Sequence, residues 1–295
     1  MRVLLTTDGS AEATAALRAA SRLLANTDRH MDVLYVAPEP RAPKSGKIAK
    51  EAVLHRLAEE TRRILDGARQ ILAEEGVDAL TLSSTGSPAP AIMRQAQDYD
   101  LTVIGAKGRD TRSNGGLGPV ASRLVEHGTG CVLVGREPPG DKGLRILVPV
   151  DGSAGSQHAL HALNAFFDLE SAEITLLHVL ETLWLALEPE EESLGAGDPD
   201  ASQGDQLALE LRREAEQLLT EARARVLEHH PGVTISIRDG NPANEILSEA
   251  DQGDYDLVVV GAHEASDLKQ RVLGSVSSKV AWNAPCSVLV VRAPE

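Results

Sequence analysis

"RVLLTTDGSAEATAAL", Arg2 to Leu17, returns as "RILVPVDGSAGSQHAL", Arg145 to Leu160, and this pair decides the fold. Each copy runs from a short apolar segment through Asp-Gly-Ser into a stretch with helical spacing. A second appearance 143 residues later marks a duplicated domain rather than a short structural repeat. Further anchors follow in the same order. "TGSPAPAIM" from Thr85 matches "DGNPANEIL" from Asp239, "YDLTVIGA" from Tyr99 matches "YDLVVVGA" from Tyr255, and "CVLVGR" from Cys131 matches "SVLVVR" from Ser287. The offset grows to 156 along the way, so the second copy holds an insertion. The acidic "ETLWLALEPEEESLGAGDPDASQGDQL", Glu181 to Leu207, reads as that insertion, a loop. The boundary falls in "REPPGDKG", Arg136 to Gly143, whose prolines and glycines continue neither strand nor helix, which gives domains 1–140 and 141–295.

Within the first copy the apolar runs "VLLTT", "DVLYVA", "ALTLSS", "LTVIGA" and "CVLVGR" lack polar alternation, as strands covered on both faces do. Helical patterns separate them. The longest, roughly Ile48 to Glu75, keeps Leu54, Leu57, Ile64, Leu65, Ala68, Ile71 and Leu72 at i, i+3, i+4 spacing. Alternating strands and helices with right-handed crossovers predict an α/β fold, a doubly wound parallel sheet in each half. Ligands on such sheets bind beyond the carboxyl ends of the strands, where the winding reverses.

At 295 residues the chain has length for two separate cores. Its net charge of -15 is unevenly spread: residues 1–140 hold 18 Lys and Arg against 17 Asp and Glu, and residues 141–295 hold 11 against 27. The first half therefore tolerates an anion, while the second repels one at long range. An acidic chain with 2% aromatic residues argues against nucleic acid as a partner. No signal peptide and no apolar run long enough for a bilayer is evident, so the expectation is no membrane and a cytoplasmic location. Cys131 and Cys286 sit one in each half and read as reduced, buried thiols.

Candidate functional residues must lie just after strands. Asp8 and Asp151 hold equivalent places there, either accepting hydrogen bonds from a ligand or capping the next helix together with Ser10 or Ser153. Gly105 and Gly108 allow close backbone approach, and the amides of a helix beginning after Gly118 suit an anion. Other constellations are poorer. His158 and His161 share a helix face without a third metal ligand, His229 and His230 suit a helix end, and His178 reads as a core histidine. "TTDGSAEA" has one glycine where a dinucleotide fingerprint needs three, and no nucleophile-base set recurs in both halves. Binding, rather than catalysis, is the expectation.

Taken together these residues resemble a tandem universal stress protein, each half over nearly its full length. Nucleotide-binding members of that family carry Gly, two residues, Gly, nine residues, then Gly followed by Ser or Thr after the fourth strand. The resemblance implies a five-stranded parallel sheet of order 3-2-1-4-5 in each half, with the two fifth strands pairing inside one chain as a pseudo-dimer; a homodimer of whole chains would use other surfaces. It places Asp8 and Val36 around adenosine in the first half and Asp151 and Val179 in the second. For the phosphates it offers Gly105, Gly108 and Gly118, with Pro119 where Ser or Thr belongs. The second half offers Gly261, Gly274 and Ser275, with Glu264 in place of the second glycine. The implied ligand is an adenine nucleotide, ATP or else AMP or ADP, with Mg as an accompanying ion, and the implied role is stress response through the bound state. Alternatives are a nucleotide-free scaffold for a protein partner, should both motifs be degenerate, and a slow ATPase.

Magnitudes rank the halves. A lost neutral hydrogen bond costs about 1 kcal/mol, while a carboxylate ~4 Å from a phosphate charge at an effective dielectric of ~20 costs about 4 kcal/mol. Pro119 is then the smaller injury, Lys107, Arg109 and Arg112 add positive charge, and the first half is expected to be the better cradle.

Overall fold

The computed structural model describes residues 1–25, 28–40, 47–109, 116–137, 143–181, 199–227, 232–262 and 273–293, with 47–50 and 199–205 as backbone alone. The first half runs β1 (Arg2–Thr6), α1 (Ala11–Leu23), β2 (His30–Ala37), α2 (Lys47–Glu74), β3 (Ala79–Thr85), α3 (Pro88–Ala96), β4 (Leu101–Gly105), α4 (Pro119–His127) and β5 (Cys131–Gly135). The second repeats it as β6 (Arg145–Pro149), α5 (Ala154–Phe166), β7 (Glu173–Leu180), α6 (Pro199–Leu227), β8 (Val233–Asp239), α7 (Pro242–Gln252), β9 (Leu257–Gly261), α8 (Ser275–Asn283) and β10 (Ser287–Val291). All strands form one sheet of order β3-β2-β1-β4-β5-β10-β9-β6-β7-β8. Each half is thus the expected 3-2-1-4-5 sheet, and the fifth strands do pair within the chain.

That central pairing is antiparallel, with Val132, Leu133 and Val134 opposite Val290, Leu289 and Val288, whereas pairing inside each half is parallel. One apolar layer, under α1, α2, α5 and α6, contains Leu133 and Leu289; the other, under α3, α4, α7 and α8, contains Val132, Val134, Val288 and Val290. Both layers run unbroken through the seam, so the two halves share their cores. Cys131 and Cys286 are buried free thiols, and burial pushes that of Cys286 up to about 12, which keeps it protonated at neutral pH.

Arginines lock the seam reciprocally. From the end of β5, Arg136 donates to the carbonyls of Ala281 (2.7 Å) and Cys286 (3.1 Å), and its amide donates to Ser287 Oγ (3.1 Å). From the matching place after β10, Arg292 donates to the carbonyls of Val125 and Gly130. Each half therefore supplies a cation to the carboxyl-terminal end of the other half's last helix, where orphan carbonyls and the helix dipole favour it. The repeated Tyr-Asp-Leu has a similar structural use. Asp100 accepts the Arg2 amide at 2.7 Å and Asp256 accepts the Arg145 amide at 2.8 Å, while each arginine lies over the neighbouring Tyr99 or Tyr255 ring.

Three elements depart from the sequence reading. β3 is an outer strand with Leu80 61% exposed, so it is not covered on both faces; its apolar run reflects one covered face and an open edge. Leu54 is 45% exposed because the first turns of α2 lie beyond the layer that holds Ile64, Leu65, Ala68 and Leu72. The insertion is not loop throughout, since α6 starts at Pro199, a residue whose fixed φ and missing N–H suit a first helical turn. Residues 182–198 of that insertion, and 138–142 of the boundary, lie outside the described residues.

Replacing Arg136 by Met keeps the apolar stem and strips the donors from two partly buried carbonyls. Urea unfolding of Arg136→Met is expected to show a loss of about 2–4 kcal/mol. An unchanged midpoint would remove the clamp from the account.

Candidate functional site

Both halves build the same turn at the carboxyl end of their first strand. Gly9 (φ +73°) and Gly152 (φ +81°) take the left-handed conformation that lets the chain turn sharply between Asp and Ser. Ser10 Oγ accepts the Ala13 amide at 3.1 Å and Ser153 Oγ accepts the Ser156 amide at 3.2 Å, so the serines cap α1 and α5. The aspartates brace those serines. Asp8 Oδ1 accepts the Ser10 amide at 2.9 Å, and Asp151 Oδ1 accepts the Ser153 amide at 2.9 Å and its hydroxyl at 2.6 Å. Burial pushes the Asp151 carboxyl up, but the bonds from Ser153 and Ser156 together outweigh it and hold the group below its ordinary value. It is therefore an anion at neutral pH. The capping and ligand readings of the sequence need not compete, because the serine does the capping.

The last glycines of β4 and β9 serve packing. A Cβ on Gly105 would stand 2.8 Å from the Glu12 carbonyl oxygen, and one on Gly261 would overlap the Gly155 carbonyl. The first turn of α1 or α5 thus lies directly on the strand end, which brings Asp8 or Asp151 toward the N-terminus of the last helix. In the second half the space left between these parts is a cavity of about 440 Å³. Val150 and Asp151 lie on one side of it, Leu177, His178 and Val179 at the end of β7 on another, Pro242 and Ile246 of α7 on a third, and Gly261 with Gly274 to Ser277 on the last. All five residues expected in this half, Asp151, Val179, Gly261, Gly274 and Ser275, line that one cavity.

Gly274 caps α8 in extended geometry, and the first helical bond runs from the Ser278 amide to the Gly274 carbonyl at 2.9 Å. The amides of Ser275, Val276 and Ser277 precede that bond, beside the cavity. Ser277 Oγ donates to the Gly261 carbonyl at 2.6 Å and fixes the helix start to β9. In the first half Gly118 caps α4 in the same way, yet Pro119 at its first position has no amide to offer.

The first half brings its residues together differently. Asp8 Oδ2 accepts the Arg109 amide at 2.9 Å, and a Cβ on Gly108 would meet that same oxygen at 2.8 Å. The Arg109 guanidinium continues to Glu60 Oε1 of α2 at 2.9 Å. Val36 is buried among Leu4, Leu34 and Ile104. Arg112 and Glu264, like His229 and His230, lie outside the described residues.

Sequence reasoning missed Glu60, Pro242 and Ile246, and took His178 for a core residue. The His178 ring is only half buried: Nδ1 sits 2.7 Å from the Val150 carbonyl, which makes it the protonated nitrogen, and the ring lines the cavity. Its place beside Val179 at the strand's carboxyl end was the available signal. Pro242 and Ile246 stood in the "DGNPANEIL" repeat anchor without chemistry to single them out.

Comparison with known proteins agrees with the duplication. The Universal stress protein family profile matches residues 1–136 and again residues 144–292. A universal stress protein of Mycolicibacterium smegmatis is 28% identical over 98% of this chain and 96% of its own length. The universal stress protein YxiE of Bacillus subtilis is 32% identical over 50% of this chain and 98% of its own. Among solved structures, a universal stress protein from Archaeoglobus fulgidus DSM 4304 superposes over 99% of this chain and 98% of its own with a TM-score of 0.67 at 20% identity.

Because the obstacle to a side chain at Gly261 is a backbone carbonyl, Gly261→Ala is expected to cost about 1–3 kcal/mol in thermal unfolding. Gly67→Ala, in α2 with nothing near the added Cβ, is the control and should be neutral or stabilising by up to ~1 kcal/mol. Equal effects in the two variants would contradict the close-packing account.

Proposed function

The chain belongs to the universal stress protein family as two domains in tandem, and from that premise we propose that it binds an adenine nucleotide in the cavity of its second half. The observation that carries this reading is the convergence of Asp151, Val179, Gly261, Gly274 and Ser275 on one cavity of about 440 Å³, a volume in the range of small-molecule sites. Leu177, Val179, Pro242 and Ile246 offer an apolar slot for a base, the Asp151 carboxylate accepts from ribose hydroxyls, and the α8 amides with the Ser275 hydroxyl receive a phosphate. Preference for the second half reverses the ranking drawn from Pro119 and Glu264. What supports the reversal is that Asp8 in the first half already accepts the Arg109 amide, while Asp151 lines the second-half cavity.

The same lining favours a single phosphate. Among the described residues around the cavity there is no Lys or Arg, and Asp151 and Glu181 are both carboxylates. Each further phosphate charge ~4 Å from a carboxylate costs about 4 kcal/mol at an effective dielectric of ~20. AMP is therefore the favoured ligand over ATP. In this reading the protein acts in the cytoplasm during stress as a nucleotide-dependent binding module, with occupancy, not turnover, as its signal.

Ser275→Pro imports the first half's Pro119 into the second. Proline is tolerated at the first helical position, so the fold should persist, while an amide and a hydroxyl donor disappear. Calorimetric titration is expected to find AMP bound by the wild type at least tenfold more tightly than ATP. In Ser275→Pro AMP affinity should fall by about a hundredfold or more, from two charge-assisted hydrogen bonds worth about 1.5–3 kcal/mol each. AMP affinity unchanged by Ser275→Pro would overturn the assignment.

A further inference from the structure

Among the described residues, the first half differs from the second in what its aspartate holds. Asp8 Oδ1 accepts the Ser10 amide, as Asp151 does with Ser153, but Asp8 Oδ2 also accepts the Arg109 amide at 2.9 Å. The Arg109 side chain then runs across the β1–α1 turn. A Cβ on Gly9 would stand 2.7 Å from its Nη2, and its Nη1 reaches Glu60 Oε1 at 2.9 Å. Three segments that are distant in sequence, the β1–α1 turn, α2 and the residues after β4, are thereby joined by one residue. At the repeat-equivalent position the second half has Ala265, which has neither the charge nor the length to do this.

Residues 116–118, just before α4, are also held in place. The Gly118 amide donates to the Ala106 carbonyl at 2.7 Å. Gly116, at φ +73°, lies so close to Trp282 of the second half that a Cβ would be 2.8 Å from the ring. The end of α8 that carries Trp282 is itself held by Arg136 through the Ala281 carbonyl.

We propose that Arg109 is an internal occupant of the first-half site: by taking Asp8 for its own amide and anchoring on Glu60, it withholds from ligands the carboxylate that the second half presents to its cavity. The chain then has one available nucleotide site and one self-closed site, and the salt link between Arg109 and Glu60 sets the balance between closed and open. This deepens the nucleotide reading and rests on it.

Two measurements test it on the full chain. Hydrogen exchange, with no ligand present, should find the Arg109 amide at least tenfold faster in Glu60→Gln than in the wild type, because Asp8 alone then holds it; equal protection overturns the latch. Calorimetric titration with AMP should give one site per chain for the wild type and for Pro119→Ser, none measurable for Ser275→Pro, two for Arg109→Ala with Pro119→Ser, and one for that pair combined with Ser275→Pro. The triple variant without binding, or two sites in the wild type or in Pro119→Ser, overturns the self-occupied first half and leaves the second-half assignment intact. A wild type that binds AMP with one site insensitive to Ser275→Pro and lost in Asp8→Ala overturns both.

Discussion

Antiparallel hydrogen bonding between Cys131–Gly135 and Ser287–Val291 is the constraint on which the other features depend. Every other pairing joins parallel strands of one half, so this seam alone reverses direction. It turns two five-stranded sheets into one and removes an edge from each, leaving β3 and β8 as the outer strands. It also sends the carboxyl ends of the two halves to opposite margins of the sheet. The two candidate sites therefore lie apart and cannot share a ligand. Because α8 runs counter to β10, its last turn arrives at the first half's ligand margin, which is why Trp282 meets Gly116 there.

Duplication under this geometry has preserved the scaffold and allowed the sites to diverge. The turn glycines, the capping serines, the close-packed strand ends and the reciprocal arginines are the same in both halves, since each answers a backbone or packing demand that duplication copies. Differences gather where no such demand exists. Pro119 stands opposite Ser275, Arg109 opposite Ala265, and Tyr35 opposite His178. Each of these pairs alters hydrogen-bonding capacity at a site while leaving the strand or helix that carries it intact.

How far the sequence was legible follows the same division. Asp-Gly-Ser after an apolar run, and the fifth-strand "CVLVGR" and "SVLVVR", are local patterns that carried the family resemblance, and it was the resemblance that implied the sheet order, the internal pairing and the residues now found around the second-half cavity. Contacts between distant residues were not readable. Arg109 and Glu60 are 49 positions apart, and the loop arginine looked like a phosphate ligand until its partner was in view. Exposure at the sheet's edge was also hidden, because "ALTLSS" has the composition of a central strand although β3 borders solvent. The start of α6 inside an acidic, glycine-containing insertion was masked by composition, where Pro199 marks a helix start as readily as a break.

The central claim is that the second half offers a preformed nucleotide cavity at the carboxyl ends of its strands. A crystal structure of the full chain grown with AMP tests this most directly. The account predicts the base between Val179 and Ile246, ribose at Asp151 and phosphate on the amides of Ser275 to Ser277, with Arg109 still on Asp8. Nucleotide density in the first half with the second-half cavity empty would contradict it.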